Sequence, residues 1–235
     1  MIVIPMAGAS RRFFEAGFDE PKYRLPLAGQ SVFAHAVGSF SALFDTMAFR
    51  FVVASGAEAF VAAEAERLGI AAFDLRVLDR PTAGQAETVE QGLADVTDAT
   101  PLTIFNIDTF RPGFTFPGTW FAGLDGWLEV FRGEGANWSY VRPADGPEPL
   151  ALETAEKRPI SDLCCTGLYH FARAGDFRMA LDAERRAPQA AELYVAPIYN
   201  HLIGKGARIG YSLIDAADVI FCGTPTEYAA LKAGR

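Results

Sequence analysis

Two short stretches hold residues that could act on a phosphate. "MAGASRRFFEAGFDEPKYRLPL" (residues 6–27) follows Met1-Ile2-Val3-Ile4-Pro5, an apolar run that reads as a buried edge of a sheet. A strand that runs into the small-residue turn Ala7-Gly8-Ala9-Ser10 aims backbone N–H groups into a concavity suited to anions. Arg11 and Arg12 follow directly, and a guanidinium beside such a cradle clamps phosphate oxygens with several donors. Pro21 stiffens the chain just before Lys22. A lysine presented in this way can neutralise charge that develops on a phosphate. The stretch matches neither G-x-x-x-x-G-K-[ST] nor G-x-G-x-x-G. The same residues also fit a surface loop with incidental charges.

The second stretch is "FNIDTF" (105–110), where Asp108 ends an apolar strand. In open α/β sheets ligands bind at the C-terminal ends of strands, and a carboxylate there suits a divalent ion that bridges phosphates. A lone aspartate also serves as an N-cap or a turn residue.

The elements that must position these groups alternate. "FRFVVAS" (49–55) and "LRVLD" (75–79) read as strands. "AEAFVAAEAERLG" (57–69) has Phe60, Val61, Ala65 and Leu68 at helical spacing and Gly69 as a stop. "GQAETVEQGLADV" (84–96) reads as a helix, and "PLTIFNID" (101–108) as a buried strand. From residue 111 to 149 glycine, proline and aromatic residues dominate. "NWSYVRP" (137–143), "LALETAEK" (150–157) and "CCTGLYHFA" (164–172) then read as strands. "AELYVAPIYNHLI" (191–203) reads as a helix, "ARIGYSLID" (207–215) and "DVIFC" (218–222) as strands, and "TPTEYAALKAG" (224–234) as a closing helix with Pro225 in its first turn. The expectation is an α/β fold: a mixed, mostly parallel central sheet flanked by helices, with a smaller antiparallel extension that builds a second wall over the first sheet. No polar linker divides the chain. One domain is expected, with a nucleotide-binding half (1–110) and an acceptor-binding half (111–235).

Composition narrows the partners. A net charge of −8 over 235 residues argues against nucleic acid, which needs a basic footprint, while leaving room for one basic cleft. Cys164, Cys165 and Cys222 form neither a disulfide framework nor a zinc-ligand spacing. No run approaches about 18 apolar residues, so no membrane partner is expected and a cytoplasmic protein is. The oligomeric state is open, a homo-oligomer included.

With those residues in place, "MAGASRRFFEAGFDEPKYRLPLAGQSVFAHAV" resembles the signature of the sugar-1-phosphate nucleotidyltransferase family, M-A-G-x-x-x-R-F…P-K…P-x-x-G-x-x-[ML]. The likeness continues, in family order, through "GQAETV", "FNIDTF", "EKRPISDLCCTGLYHF" and "FCGTPTEY". The resemblance implies a Rossmann-like, nucleotide-diphospho-sugar transferase-like fold. It also implies transfer of a nucleotidyl group from an NTP (CTP, UTP or dTTP) to a small phosphorylated acceptor, with release of pyrophosphate. It implies that Ala7, Gly8, Ala9 and Ser10 wrap the nucleotide, that Gln85 reads the base, and that Arg12 and Lys22 are catalytic. Asp108 matches the family's Mg²⁺ ligand. Glu156 and Lys157 match the E-K that faces the acceptor, and Gly167 the glycine beside it. "RFFEAGFDEPKYRLPL" and "AELYVAPIYNHLI" are similar to the short capsule-biosynthesis branch, which includes a CTP-dependent cytidylyltransferase acting on phosphoglutamine. There Tyr194, Tyr199, Asn200 and His201 either line the acceptor pocket or simply pack a helix.

Two positions depart from the pattern. Ser10 stands where the usual turn has a second glycine, and Phe221 where many relatives carry a second metal-binding aspartate. Asp215 and Asp218 are near but out of register, so the ion rests on Asp108 and phosphate oxygens or on one of these two. A catalytically weak nucleotide-binding homologue fits Phe221 as well. A glycosyltransferase is disfavoured, because Asp108-Thr109-Phe110 is not D-x-D. His35, His170 and His201 are scattered and read as structural, and Arg185-Arg186 as a solvated helix face.

Overall fold

A computed structural model describes residues 1–234. Strand β1 (Ile2–Pro5) pairs in parallel with β4 (Phe49–Ala54) on one side and β6 (Leu102–Phe105) on the other. It is therefore central, and the expectation of an edge is corrected. A parallel strand covered on both faces is a continuous apolar run, and an apolar run does not reveal its neighbours. Side chains alternate along it: Ile2 and Ile4 enter one core, Val3 the other. Likewise Phe49, Phe51 and Val53 of β4 point to the first core and Val52 to the second.

Beyond β4 lies β5 (Phe73–Leu78), also parallel. On the other side β6 meets β11 (Leu163–Phe171), which runs antiparallel and is buried along its whole length. β11 in turn pairs with β8 (Gly126–Arg132) and β9 (Ser139–Pro143). β10 (Ala151–Glu156) joins β9, and β12 (Ile209–Ile214) joins β8 in parallel. The result is one mixed nine-stranded sheet with a parallel centre. The antiparallel strands extend this sheet rather than standing over it as a second wall. Two small antiparallel pairs lie outside it: β2 (Pro26–Leu27) with β3 (Gln30–Ser31), and β7 (Thr109–Phe110) with β13 (Ile220–Phe221).

Helices cover both faces. The phenylalanine-rich core takes Phe13 of α1 (Arg11–Glu15), Phe33 of α2 (Val32–Gly38), Val61 of α3 (Glu58–Leu68) and Tyr228 of α7 (Pro225–Lys232). The second core takes Val89 of α4 (Gln85–Gly92), Phe177 of α5 (Ala174–Arg186) and Tyr199 of α6 (Val195–Ile203). Among the described residues no helix is long and apolar enough to cross a membrane.

Several boundaries differ from the sequence reading; the strand expected over 101–108 ends at Phe105, so Asp108 stands three residues beyond it. α4 stops at Gly92, where a Cβ would lie 2.4 Å from a Val52 methyl and the carbonyl accepts from the buried Arg50 guanidinium at 2.7 Å. α6 starts at Val195, so that Pro197 falls in its first turn, where its missing N–H costs nothing. β13 keeps only two residues of the strand expected over 218–222.

Phe51 is fully buried against Phe33, Phe49 and Phe73. Phe51→Ala should cost about 3–5 kcal/mol, read as a lower midpoint in urea unfolding.

Candidate active site

The C-terminal ends of β1 and β6 open into one cleft. A pocket of about 220 Å³ is lined by Gly8, Ala9, Ser10, Arg11, Arg12 and Lys22. It shares Gly8, Arg12, Lys22 and Gly223 with an adjoining cavity of about 570 Å³. That cavity takes in Ala7, Gln85, Asp108, Glu156 and Gly167. The structure thus brings all but one of the expected site residues to one place.

The turn after β1 is built as the sequence suggests, with one variation. Ser10, at the glycine position, is left-handed (φ +48°, ψ +30°), a conformation that costs a serine strain. Its hydroxyl accepts from the Lys22 backbone N–H at 3.3 Å, which ties the turn to the lysine. Lys22 opens a single 3-10 turn after Pro21. Its ammonium makes an ion pair with the Asp108 carboxylate, the two side chains being 20% and 19% exposed. Asp108 is fixed from behind, where its carbonyl accepts the Cys222 N–H at 2.8 Å. Burial, and then the Asp108 and Glu227 carboxylates, push the Cys222 thiol up to about 12, so it is no nucleophile at neutral pH.

Gln85 begins α4 and donates to the Asn106 side chain, which accepts through Oδ1. Asn106 lies over Gly167, whose φ is +95°; a Cβ there would be 2.4 Å from the Asn106 amide nitrogen. Gly84 has φ +154°, and a Cβ on it would meet the Leu193 backbone at 2.6 Å. That close approach lets the Ala86 N–H reach the Leu193 carbonyl at 2.8 Å and the Leu193 N–H reach Ala83 at 3.0 Å. The segment before α6 is thereby stitched to the start of α4, and Glu192 and Tyr194 join Gln85 on the cavity wall.

At the far end the Ser139 hydroxyl donates to Glu156. Burial holds the Glu156 carboxyl above its ordinary range, with Ser139 and Lys157 opposing. Lys157 is the exception among the expected residues. It is exposed at the rim, its ammonium donating to the Tyr194 hydroxyl at 2.7 Å and lying 4.8 Å from that ring. Its backbone is left-handed (φ +53°).

Phe221 packs on Trp138 and Phe131, with centroids 4.5 and 5.1 Å away, as an aromatic wall. Asp215 caps the turn at 216–218, and the Asp218 carbonyl accepts from Arg111; neither residue lines the cavity. Tyr194 does line it. Tyr199 instead stacks on Phe171, Asn200 bonds Thr154, and His201 meets the buried Glu184. His35 and His170 bond Leu27 and Thr103, and burial lowers His170 to about 4, so all three histidines are structural. Arg185 pairs with Glu90 and Asp182 on a helix face, as expected. Among the described residues no three His, Cys, Asp or Glu side chains converge.

Neither a protein-family model nor a curated protein matches the sequence. A solved structure does: a nucleoside-diphosphate-sugar pyrophosphorylase from Vibrio cholerae, 47% identical, aligned over 99% of this chain and 100% of that one, with a TM-score of 0.94. The chain belongs to the nucleoside-diphosphate-sugar pyrophosphorylase family. Its class is therefore that of the nucleotidyltransferases. Distant pyrophosphorylase-like structures share the fold alone. They include a UDP-glucose pyrophosphorylase (13% identity, 99% and 97% coverage, TM-score 0.80) and an inositol-1-phosphate CTP transferase from T. maritima (13%, 98% and 93%, 0.76). The mixed sheet and flanking helices expected from the sequence are those of this family.

Two predictions follow from the geometry. Gly167→Ala should break the Asn106–Gln85 contact and lower turnover at least about tenfold, since small misplacements in a cleft are costly; unchanged steady-state kinetics would refute this. Glu156→Gln tests the buried carboxyl. A carboxyl whose folded-state pKa is raised contributes its stability in full below its unfolded value of 4.5 and loses it as pH rises through the folded value. The variant should melt higher than wild type at pH 8, and the gap should close near pH 4.

Proposed function

We propose that the chain transfers a nucleoside monophosphate from CTP, UTP or dTTP to a sugar-1-phosphate or a similar small phosphorylated metabolite, releasing pyrophosphate. The observation that carries this reading is one cleft with the turn Ala7–Ser10, Arg12 and the Lys22–Asp108 pair at one end and Glu156 with Gly167 at the other. An oxygen of the acceptor phosphate attacks the α-phosphorus. The bond to the α–β bridging oxygen breaks, and its electron pair leaves with pyrophosphate. Arg12 holds the leaving phosphates. Lys22 exchanges Asp108 for the α-phosphate and neutralises its charge as the new bond forms. The protein's part is positioning and charge stabilisation, which is what transfer at phosphorus requires.

Asp108, an oxygen donor facing phosphates, fits a magnesium ion, which usually keeps one or two protein carboxylates and completes its shell with phosphate and water. Bound there, Mg²⁺ would offset charge on the phosphate oxygens. We place the reaction in the cytoplasm, in the supply of activated precursors for capsule or surface polysaccharide. The aromatic wall of Trp138 and Phe221 favours a second reading, in which a CTP-dependent enzyme of the capsule branch acts on a non-sugar phosphate of the phosphoglutamine or phosphocholine type.

The test is a pyrophosphate-release screen with Mg²⁺ that crosses five NTPs with sugar-1-phosphates, phosphocholine and phosphoglutamine. Release that needs one NTP and one acceptor together is expected; nucleotide binding without release against every acceptor would contradict the proposal. Lys22→Ala should lower kcat about 10²–10³-fold while changing nucleotide affinity much less, because its contact strengthens as charge develops. Equal losses in both would remove that role. Asp108→Asn should abolish stimulation by divalent ions.

A further inference from the structure

The nine-stranded sheet ends on β5, β10 and β12. β10 is closed by the Asn200 side chain, whose Oδ1 accepts the Thr154 N–H at 2.8 Å and whose Nδ2 donates to the Thr154 carbonyl at 2.8 Å. β12 is met by the chain before β10: the Pro149 carbonyl accepts the Tyr211 N–H at 2.9 Å, and Leu150 bridges Gly210. β5 has no such cover. The Ala72 carbonyl accepts the Phe49 N–H at 2.9 Å and the Leu78 carbonyl the Ser55 N–H at 3.3 Å, so residues 72, 74, 76 and 78 turn their backbone toward β4. By the alternation of a strand, Phe73, Leu75 and Val77 turn theirs outward. Among the described residues none of these outward N–H or C=O groups has a hydrogen-bond partner. A free edge of this kind is a template for a further strand.

The side chains of β5 are self-complementary. Phe73 and Leu75 lean on the phenylalanine-rich core, and Val77, next on that face, is exposed. Asp74 and Arg76 lie on the other face, where Asp74 pairs with Arg50 and Arg76 with Asp95, yet they stay 47% and 39% exposed. A second β5 set antiparallel about a twofold axis at Leu75 puts Phe73 opposite the partner's Val77 and Asp74 opposite the partner's Arg76, each contact made twice. The outward groups of 73, 75 and 77 then fall in the closely spaced pairs that exchange hydrogen bonds. An axis at Asp74 or at Arg76 would set like charge against like, which is unfavourable, so charge selects the register.

We infer that β5 is a self-pairing edge, through which a second copy of this chain docks antiparallel along Phe73–Val77 to make one sheet that runs through both. Strands run in opposite directions across the axis. The two clefts, each at the C-terminal ends of its own β1 and β6, therefore face opposite ways.

The measurement is sedimentation velocity of the full chain over about 1–100 µM, the range in which interfaces of modest area associate. The wild-type chain should pass from the mass of one chain to that of two. Val77→Lys puts a charge on the exposed edge and should weaken association at least about tenfold, because charged side chains blunt strand edges. Val77→Pro removes an outward N–H that no bond within the chain uses and should act likewise. Circular dichroism of both variants should match wild type. Leu213→Lys, at an exposed position of β12, should leave association unchanged. In the wild-type chain the Phe73, Leu75 and Val77 amides should exchange hydrogen more slowly at the top of the concentration range than at the bottom, a readout for which no variant has to fold. A wild-type chain that stays monomeric throughout would overturn the inference. So would a dimer that both Val77 variants leave intact, a dimer that Leu213→Lys alone dissociates, or exchange at those three amides that ignores concentration.

Discussion

Everything in the cleft depends on the ion pair between Lys22 and Asp108. Each charge is mostly withdrawn from water, and each is satisfied by the other. A polyanion that takes the ammonium leaves the carboxylate needing a cation, and a cation that takes the carboxylate frees the ammonium. That reciprocity supports the proposed pairing of a polyanion with a cation in this cleft. The pair exists because β1 and β6 are adjacent and parallel, so the turn after one and the acid after the other leave the sheet on the same side.

The end of the cavity proposed for the acceptor is made by close backbone approaches. Gly84 admits the Leu193 backbone and Gly167 admits the Asn106 amide, and together these contacts seat Glu192, Tyr194, Gln85 and Asn106 around one volume. Two residues along the cleft hold left-handed backbones, Ser10 in the turn after β1 and Lys157 at the far rim.

How far the sequence reveals this arrangement depends on the range of the interaction. The cradle, Lys22 and the strand-end Asp108 are legible because a strand, a turn and a charge lie within a few residues of one another. The alternation before residue 110 gives the parallel half of the sheet for the same reason. The central place of β1 is not legible, since an apolar run carries no record of which strands flank it. β8 is hidden in a segment whose glycines and aromatics mask its period, though all but its last residue are buried. Asn106 acquires meaning only through Gln85 and Gly167, contacts that no local pattern announces. Tyr199, Asn200 and His201 share a stretch with Tyr194, yet α6 turns them away from the cavity.

The most direct test of nucleotidyl transfer follows the label. With the NTP and acceptor that support turnover, α-³²P-labelled nucleotide should deliver its label to the nucleoside-diphosphate-linked product, and γ-³²P-labelled nucleotide should deliver all of its label to pyrophosphate. Label from the γ position appearing in the acceptor or as orthophosphate would mean that the bond broken is not the one between the α-phosphorus and the bridging oxygen, and would contradict the account.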